Sequence, residues 1–213
     1  MATDCVNERL DLREYAAERA LLLDQLRAPP LFAAEPVSPF AAYSLLFGEV
    51  LSVNIQRRIH ALYQSRLAAI NAYTTGADLQ KLHGASAALL PIEAGHLYVF
   101  RDVRDASPTI VKIGSTRTSV ARRIGQWQRD LRATPDELYV LFSVECTDVR
   151  FAEALMHTLL FCQWLPKRVN AFNGHRLLEY FSVHDLRALR RLCTAVTRHV
   201  DWFMRNKNRR RNV

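Results

Sequence analysis

The chain has 213 residues, of which 49% are hydrophobic and 23% charged, a composition typical of a globular protein with a packed core. Lys and Arg number 29 against 21 Asp and Glu, so the formal net charge is +8. Such an excess favours a polyanionic partner such as nucleic acid, because neutralised phosphates release counterions. The 7 glycines and 8 prolines are too few for a fibrous or largely disordered chain.

The sequence pattern predicts neither a secretory signal nor a membrane span. The first residues include Asp4, Glu8 and Asp11, where a secretory signal would carry positive charge before an apolar run. The most apolar segment, 40–51, is shorter than the roughly 20 residues that span a bilayer. The 4 cysteines are scattered without C-x-x-C spacing, which argues against a zinc cage. We therefore predict an intracellular protein, cytoplasmic or nuclear, that is neither secreted nor bound to a membrane.

The first part of the chain predicts helices. Apolar residues recur at helical spacing over about 11–27. A second helix begins at Ser38, which is followed by proline at the first helical position, and continues to about residue 75. A kink near 48–54 is left open, and a shorter helix covers about 78–90. We predict that 1–92 forms an all-helical N-terminal region, which could contact a protein partner or mediate self-association.

The pattern changes after Gly95. It predicts two strands, a helix with an apolar stripe, a third strand, a second helix, a short extended piece and a final helix, over about 96–101, 109–114, 120–131, 138–146, 148–163, 177–183 and 184–204. This ββαβα order plus a C-terminal helix predicts an α+β fold with a small antiparallel three-stranded sheet flanked by helices. We place this domain at 93–204 and a basic tail at 205–213.

Several residues in this second half suit phosphate chemistry. Tyr98 lies on the first strand, and Lys112 precedes a glycine at the end of the second. Arg122 lies on the polar face of the following helix, whereas Glu153 and His157 are four residues apart on the next helix and share one face. A carboxylate for a divalent cation and an arginine for phosphate charge are what metal-assisted phosphodiester cleavage requires. Spacing alone, however, favours ordinary strand packing, a solvated helix face and a local hydrogen-bonded pair.

The order of the motifs carries more information than the spacing. The strand HLYVF at 96–100, a hairpin, VKIGST at 111–116 and then Arg122 resemble the GIY-YIG endonuclease superfamily. The chain looks most like the DNA-binding branch found in bacteriophages and large DNA viruses, in which Lys-Ile-Gly replaces Tyr-Ile-Gly. Glu153 to His157 resembles the E-x-x-x-H helix of that branch. Arg168, with Glu179 to Phe181, resembles its arginine and closing acidic-aromatic pair, so that the resemblance covers about 95–183.

The resemblance implies a role for each matching residue. Tyr98 would orient or help to activate the attacking water, and Arg122 would hold the phosphate and stabilise its charge. Glu153 would bind one Mg²⁺ or Mn²⁺, if the protein is catalytic. His157 would bind a nearby phosphate or assist proton transfer. Contacts to nucleic acid are expected from further basic residues, which are Arg123, Arg129, Lys167, Arg168, Arg209, Arg210 and Arg211.

Two departures from the family pattern bear on catalysis. His96 replaces the usual glycine of the first motif, and Lys112 stands where catalytic members place a tyrosine. A lysine has a pKa near about 10.4 and stays protonated at neutral pH unless it is strongly desolvated. A protonated Lys112 suits phosphate binding better than proton abstraction.

The sequence therefore predicts a DNA-binding protein with a nuclease-like module. One alternative is an active, Mg²⁺- or Mn²⁺-dependent DNA endonuclease. The other is a structural or adaptor protein that retains the fold without nucleic-acid activity. The basic tail, 205–213, is compatible with a phosphate-contacting arm, a nuclear-import signal or a merely solvated terminus.

Overall fold

The computed structural model describes residues 36–75, 92–105, 107–166 and 179–209. Within these ranges the strands form one antiparallel sheet, in the order β3-β1-β2-β4. The central strands β1 and β2 form a hairpin in which Tyr98 lies opposite Gly114. The strand bounds are Gly95–Asp102 for β1, Ile110–Thr116 for β2, Leu138–Cys146 for β3 and Tyr180–Ser182 for β4.

The expected three-stranded sheet is wrong by one strand. The short extended piece expected at 177–183 contains β4, which pairs with β2 and places Phe181 opposite Val111. A strand of three residues is too short to show a readable alternation, and its partner is far away in the sequence. The other three strands are confirmed, with ends that differ from the prediction by at most two residues.

The structure describes five α-helices where the sequence predicted four, because the helix expected from Ser38 to about residue 75 is two separate helices. The expected kink near 48–54 is a complete break, because Gly48 ends the first helix in the left-handed conformation, with φ of 69°. Ser38 caps that helix as expected, since its hydroxyl accepts the N–H of Ala41 at 3.2 Å. The helices are α1 Pro39–Phe47, α2 Val53–Thr75, α3 Val120–Leu131, α4 Val149–Leu159 and α5 Leu186–Arg209, with a 3₁₀ turn at Phe161–Gln163.

The last two helices show the largest differences in bounds. Asp148 caps α4, which ends at Leu159 rather than near residue 163, because the chain tightens into the 3₁₀ turn. Asp185 caps α5 by accepting the N–H groups of Arg187 and Ala188. This helix continues to Arg209, so the first part of the expected tail is helical.

The sheet separates two layers of side chains. Its polar face carries Tyr98, Phe100 and Lys112 and is covered by α3. Its apolar face carries residues such as Leu97 and Val99 and is covered by α4 and α5. The two faces thus have different partners and, as the next section shows, different chemistry.

A β-bulge lets β3 serve both layers. The register between β1 and β3 shifts between Val99 and Phe100. Leu138 therefore packs with α3, whereas Val144 packs on the apolar face, although the two residues are six positions apart in the sequence. Without a bulge, residues at even spacing would point to the same face.

Helices α1 and α2 pack on α4 and α5 and extend the same core. Tyr43 and Ile59 are buried together with residues of the second half. A fully buried ion pair joins Arg66 of α2 to Asp148, the cap of α4. The described part of the expected N-terminal region thus shares a core with the sheet, while the helices expected at 11–27 and 78–90 lie outside the described residues. None of the described helices has an apolar stretch long enough to cross a membrane.

Candidate nucleic-acid site

Tyr98 is the centre of the polar face. It is only 1% exposed, and its hydroxyl oxygen accepts Trp127 Nε1–H at 3.0 Å and Arg123 Nε–H at 3.4 Å. Gly114 lies opposite, where a Cβ would stand 2.7 Å from the Tyr98 hydroxyl. The glycine of the Lys-Ile-Gly motif is therefore required here because the ring of Tyr98 occupies the space of a side chain.

The surroundings of Tyr98 keep its proton in place. Burial raises its pKa above the ordinary value, and the charge of Glu153 acts in the same direction. The N–H groups of Trp127 and Arg123 oppose this shift without reversing it. Because these two donors use the lone pairs of the phenol oxygen, the hydroxyl remains a proton donor. Tyr98 is thus suited to donating a hydrogen bond to a phosphate or a water and unsuited to abstracting a proton.

Lys112 is buried beside Tyr98, at 1% exposure. Its ammonium group pairs with the carboxylate of Glu179 and lies 4.3 Å from the centroid of the Trp127 ring and 5.4 Å from that of Tyr180. Burial lowers the pKa of Lys112, and the adjacent Glu179 opposes that shift. The expected contact between Lys112 and a phosphate would therefore require the phosphate to share or replace Glu179.

The guanidinium group at this centre belongs to Arg123 and not to Arg122. Arg123 is half-buried, contacts Tyr98 and Gln126, and lies 5.1 Å from the centroid of the Trp127 ring. Arg122 is exposed on the outer side of α3. The two predicted roles are therefore exchanged in space: the residue expected to contact nucleic acid lies in the polar centre, and the residue expected in the centre lies outside.

Glu153 and His157 share one side of α4, as their spacing predicted, and both are half-buried against β2. Glu153 Oε2 accepts the hydroxyl of Ser115 at 2.7 Å. His157 Nε2 lies 3.0 Å from the carbonyl oxygen of Ile113, to which it donates. The charge of Glu153 adds to the burial that raises the pKa of Tyr98, and it opposes the burial that lowers the pKa of Lys112.

The residues present fit a divalent cation only in a limited way. Within the described residues, no group of three or more His, Cys, Asp or Glu side chains is placed to hold a metal ion. Mg²⁺ nevertheless is often held by one or two carboxylates, with water and phosphate oxygens completing its shell. Glu153 could supply one such carboxylate beside its contact with Ser115. A metal at this position would therefore depend on the bound phosphate for further ligands.

The other expected contact residues are distributed around the molecule. Arg129 is exposed on α3, two turns after Arg122. Arg209 is the last residue of α5. Four expected contact residues lie outside the described part of the chain, and these are Lys167, Arg168, Arg210 and Arg211.

Three residues of the site were not predicted as site residues. Trp127 was read only as part of the apolar stripe, but its ring also contacts Lys112 and its N–H binds Tyr98. Glu179 forms an ion pair with Lys112, and the hydroxyl of Ser115 donates a hydrogen bond to Glu153. The position of Trp127 four residues after Arg123 was an available signal, because side chains at that spacing meet on a helix. Glu179 belongs to the acidic-aromatic motif of the resemblance, but no local pattern indicated its pairing with Lys112 or that of Ser115 with Glu153, since strand pairing and helix packing bring these residues together.

A family match over the second half of the chain indicates a nuclease-like, DNA-related module. The family of T5orf172 domains matches residues 95–208, which is more than half of the chain, and the protein belongs to that family. This family is related to endonucleases. No curated protein and no solved structure matches the chain.

Proposed function

We propose that the protein binds DNA through the polar face of the sheet and the exposed side of α3. The observation that carries this proposal is the set of arginines on α3, the helix that covers the buried polar centre. Arg123 lies within that centre, while Arg122 and Arg129 are exposed above it on the same helix. We also propose that the protein belongs to the phage and viral branch with the Lys-Ile-Gly motif, and this part of the proposal is based on the sequence motifs alone.

The spacing of the exposed arginines suits an extended polyanion better than a small anion. Arg122 and Arg129 are seven residues apart, which corresponds to about 10 Å along a helix. Duplex DNA carries one negative charge for about every 1.7 Å of its axis, so both side chains can meet phosphates of one duplex. Arginine also donates two parallel hydrogen bonds to a phosphate, which favours stable contacts at these positions.

The test is a binding titration with a fluorescent DNA duplex of about 20 base pairs over a range of salt concentrations. The double variant Arg122→Ala/Arg129→Ala should lower the slope of log affinity against log salt by about 2, because two phosphate contacts are lost. The matched control is Arg57→Ala/Arg58→Ala, which removes the same charge from exposed positions on α2. Equal losses in the two variants would show that only net charge matters and would refute the proposed surface. A wild-type protein that does not bind DNA at low salt would support the adaptor alternative.

Metal-dependent cleavage is the second candidate function, and the position of Glu153 supports it. Ser115 holds this carboxylate by a hydrogen bond, and its charge acts on Tyr98, which Arg123 contacts, and on Lys112. Glu153 would hold Mg²⁺ or Mn²⁺, which would neutralise charge on the bound phosphate. Tyr98 would donate a hydrogen bond to a phosphate or water oxygen, and Arg123 would stabilise the phosphate charge.

A plasmid-nicking assay with Mg²⁺ or Mn²⁺ tests this second function. Nicking should require Glu153, and Glu153→Gln should abolish it while DNA binding persists. The control Glu145→Gln changes an exposed carboxylate on β3 and should leave nicking unchanged. Absence of nicking in a wild-type protein that binds DNA would exclude cleavage of this substrate and leave the DNA-binding proposal standing.

A further inference from the structure

Helix α5 carries a row of arginines that the polar face does not use. Between Leu186 and Asn206 the helix contains one acidic residue, Asp201, and no lysine. Its opposite side, which includes Leu189 and Val196, is buried in the core. The row consists of the exposed Arg187, Arg190, Arg191 and Arg205 and the half-buried Arg198.

The helical repeat places these arginines on one side of α5. At about 100° per residue, the five positions fall within an arc of roughly 100°, and the first and last are about 27 Å apart along the axis. We call this surface, from Arg187 to Arg205, the arginine row. The arginine row begins beside Asp185, which is also exposed.

The arginine row is unfavourable for the isolated helix. Arg187 is three residues from Arg190 and four from Arg191, and like charges at those spacings repel. All three lie near the N-terminal end of the helix, where the macrodipole disfavours positive charge. Among the described residues these three make no ion pair, and the carboxylate of Asp185 is bound to backbone N–H groups.

The single acidic residue in the row does not compensate for this repulsion. Asp201 Oδ1 accepts the backbone N–H of Thr147 at 2.9 Å and its hydroxyl at 2.7 Å. Its carboxylate thus ties α5 to the end of β3. An ordinary solvated helix face would carry carboxylates spaced to pair with its arginines, and α5 has none three or four residues from Arg187, Arg190 or Arg191. The excess positive charge therefore points to an anionic ligand outside the described chain.

We propose that the arginine row is a second nucleic-acid surface, which binds backbone phosphates independently of the α3 surface. The choice of nucleic acid as the ligand rests on the proposed function. Every basic residue of the row is an arginine and none is a lysine. Arginine can donate two parallel hydrogen bonds to one phosphate, which favours phosphate as the ligand. The sheet separates the row from α3, because α3 covers the polar face and α5 belongs to the layer on the apolar face.

An anionic membrane is a less suitable partner for this surface. A helix that lies on a membrane inserts apolar side chains into it, but the apolar side of α5 is already buried in the core. The large hydrophobic side chains that are exposed among the described residues lie on other elements. Phosphates of a nucleic acid need only the exposed guanidinium groups, which the row supplies.

The test starts from the variant Arg122→Ala/Arg129→Ala, in which the α3 surface is weakened. Adding Arg187→Ala/Arg191→Ala should reduce the remaining affinity for the DNA duplex about tenfold or more and lower the salt slope by about 2 further units. Adding Arg57→Ala/Arg58→Ala instead removes the same charge and should have a clearly smaller effect. The change on α5 relieves repulsion, so the unfolding temperature should stay the same or rise, which shows that the variant is folded.

The outcomes separate this proposal from the proposed function. If the two added pairs reduce affinity and slope equally, the arginine row is overturned, whatever the α3 variant does. If only the α5 change reduces binding and the α3 change has no effect, the row stands and the α3 surface is refuted. Loss of binding to phosphatidylserine-rich vesicles by Arg187→Ala/Arg191→Ala, with unchanged DNA binding, would assign the row to a membrane and overturn the proposal.

Discussion

The two faces of the sheet are filled in opposite ways. On the apolar face, α4 and α5 bury residues such as Leu155, Leu189 and Val196 against the strands. On the polar face, α3 covers a lysine and a tyrosine that are each only 1% exposed. Both faces are buried, but among the described residues the charged side chains that the strands themselves bury, such as Lys112, lie on the polar face.

This difference separates the face that mainly stabilises the fold from the face that we propose for binding. Burying an ammonium group removes it from water, and a carboxylate and two aromatic rings recover only part of that loss. Apolar residues of similar size would pack at Lys112 without this loss. The polar face therefore retains groups that weaken folding, as functional sites commonly do. Four predictions test this contrast, from the largest expected effect to the smallest.

The apolar face should be the more sensitive to truncation. Leu155→Ala removes a fully buried side chain of α4 and should lower the free energy of unfolding by about 2–5 kcal/mol, because a cavity forms in a close-packed layer. Urea denaturation measures this loss. Leu141→Ala, at a half-buried position of β3, is the control and should cost less. A loss at residue 141 as large as that at residue 155 would contradict the contrast in packing.

Alkaline pH should destabilise the protein through the buried thiols. Burial raises the pKa of Cys146 and Cys193, so each folded thiol keeps a proton that the unfolded chain releases above its ordinary pKa. Stability should fall as pH rises above about 8.5, by up to about 1.4 kcal/mol per pH unit for each thiol. The lowered pKa of Lys112 opposes this trend, but this single lysine acts against the two thiols of Cys146 and Cys193.

Unfolding midpoints measured from pH 8 to pH 10 test this prediction. Cys193→Ala should flatten the pH dependence, whatever its effect on stability at neutral pH. Cys162 is exposed, so Cys162→Ser should leave the dependence unchanged. Identical slopes for the wild type and Cys193→Ala would show that the buried thiol does not contribute.

Gly114→Ala should disturb the polar face specifically. The added methyl group would stand 2.7 Å from the Tyr98 hydroxyl, so the ring must move, at a cost of about 1–3 kcal/mol. Combining it with Tyr98→Phe should give a smaller total loss than the sum of the single losses, because the closest clash is removed. Additive losses in this double-mutant cycle would show that Gly114 does not act through Tyr98.

Lys112→Met should have the smallest effect on stability and a clear effect on binding. It replaces a buried charge by an apolar chain of similar length, and Glu179, with its side chain 38% exposed, can be hydrated instead. We expect the free energy of unfolding to change by less than about 1.5 kcal/mol, while affinity for DNA falls. A large loss of stability with unchanged DNA affinity would assign Lys112 to folding rather than to the site.

Most of the fold could be predicted because its signals are local. Alternation identified β1, β2 and β3, and the apolar stripe of Val120, Ile124, Trp127 and Leu131 identified α3. The pairing of β4 with β2 and the bulge in β3 were not predicted, because both depend on contacts between distant segments. A simple alternation assigns Leu138 and Val144 to one face, whereas the register shift sends them to different faces.

The sequence predicted which residues belong to the site more readily than which of them contact one another. Tyr98 and Glu153 were identified from the order of the motifs, and the charge of Glu153 contributes to the raised pKa of Tyr98. Arg122 was preferred over Arg123, and the geometry favours the latter, because the side of α3 that contains Trp127 faces the sheet. The pairing of Lys112 with Glu179 was not predicted, since it depends on β4 lying beside β2.

Trp127 provides the most direct measurement of whether DNA binds at the polar face. The chain has 3 tryptophans, so Trp164→Phe/Trp202→Phe leaves this one as the only indole reporter, beside Lys112 and Arg123. Adding duplex DNA should change its fluorescence saturably, with the affinity found in the binding titration, and added salt should reverse the change. Binding seen by the titration without any change in Trp127 fluorescence would place the DNA elsewhere and contradict the account.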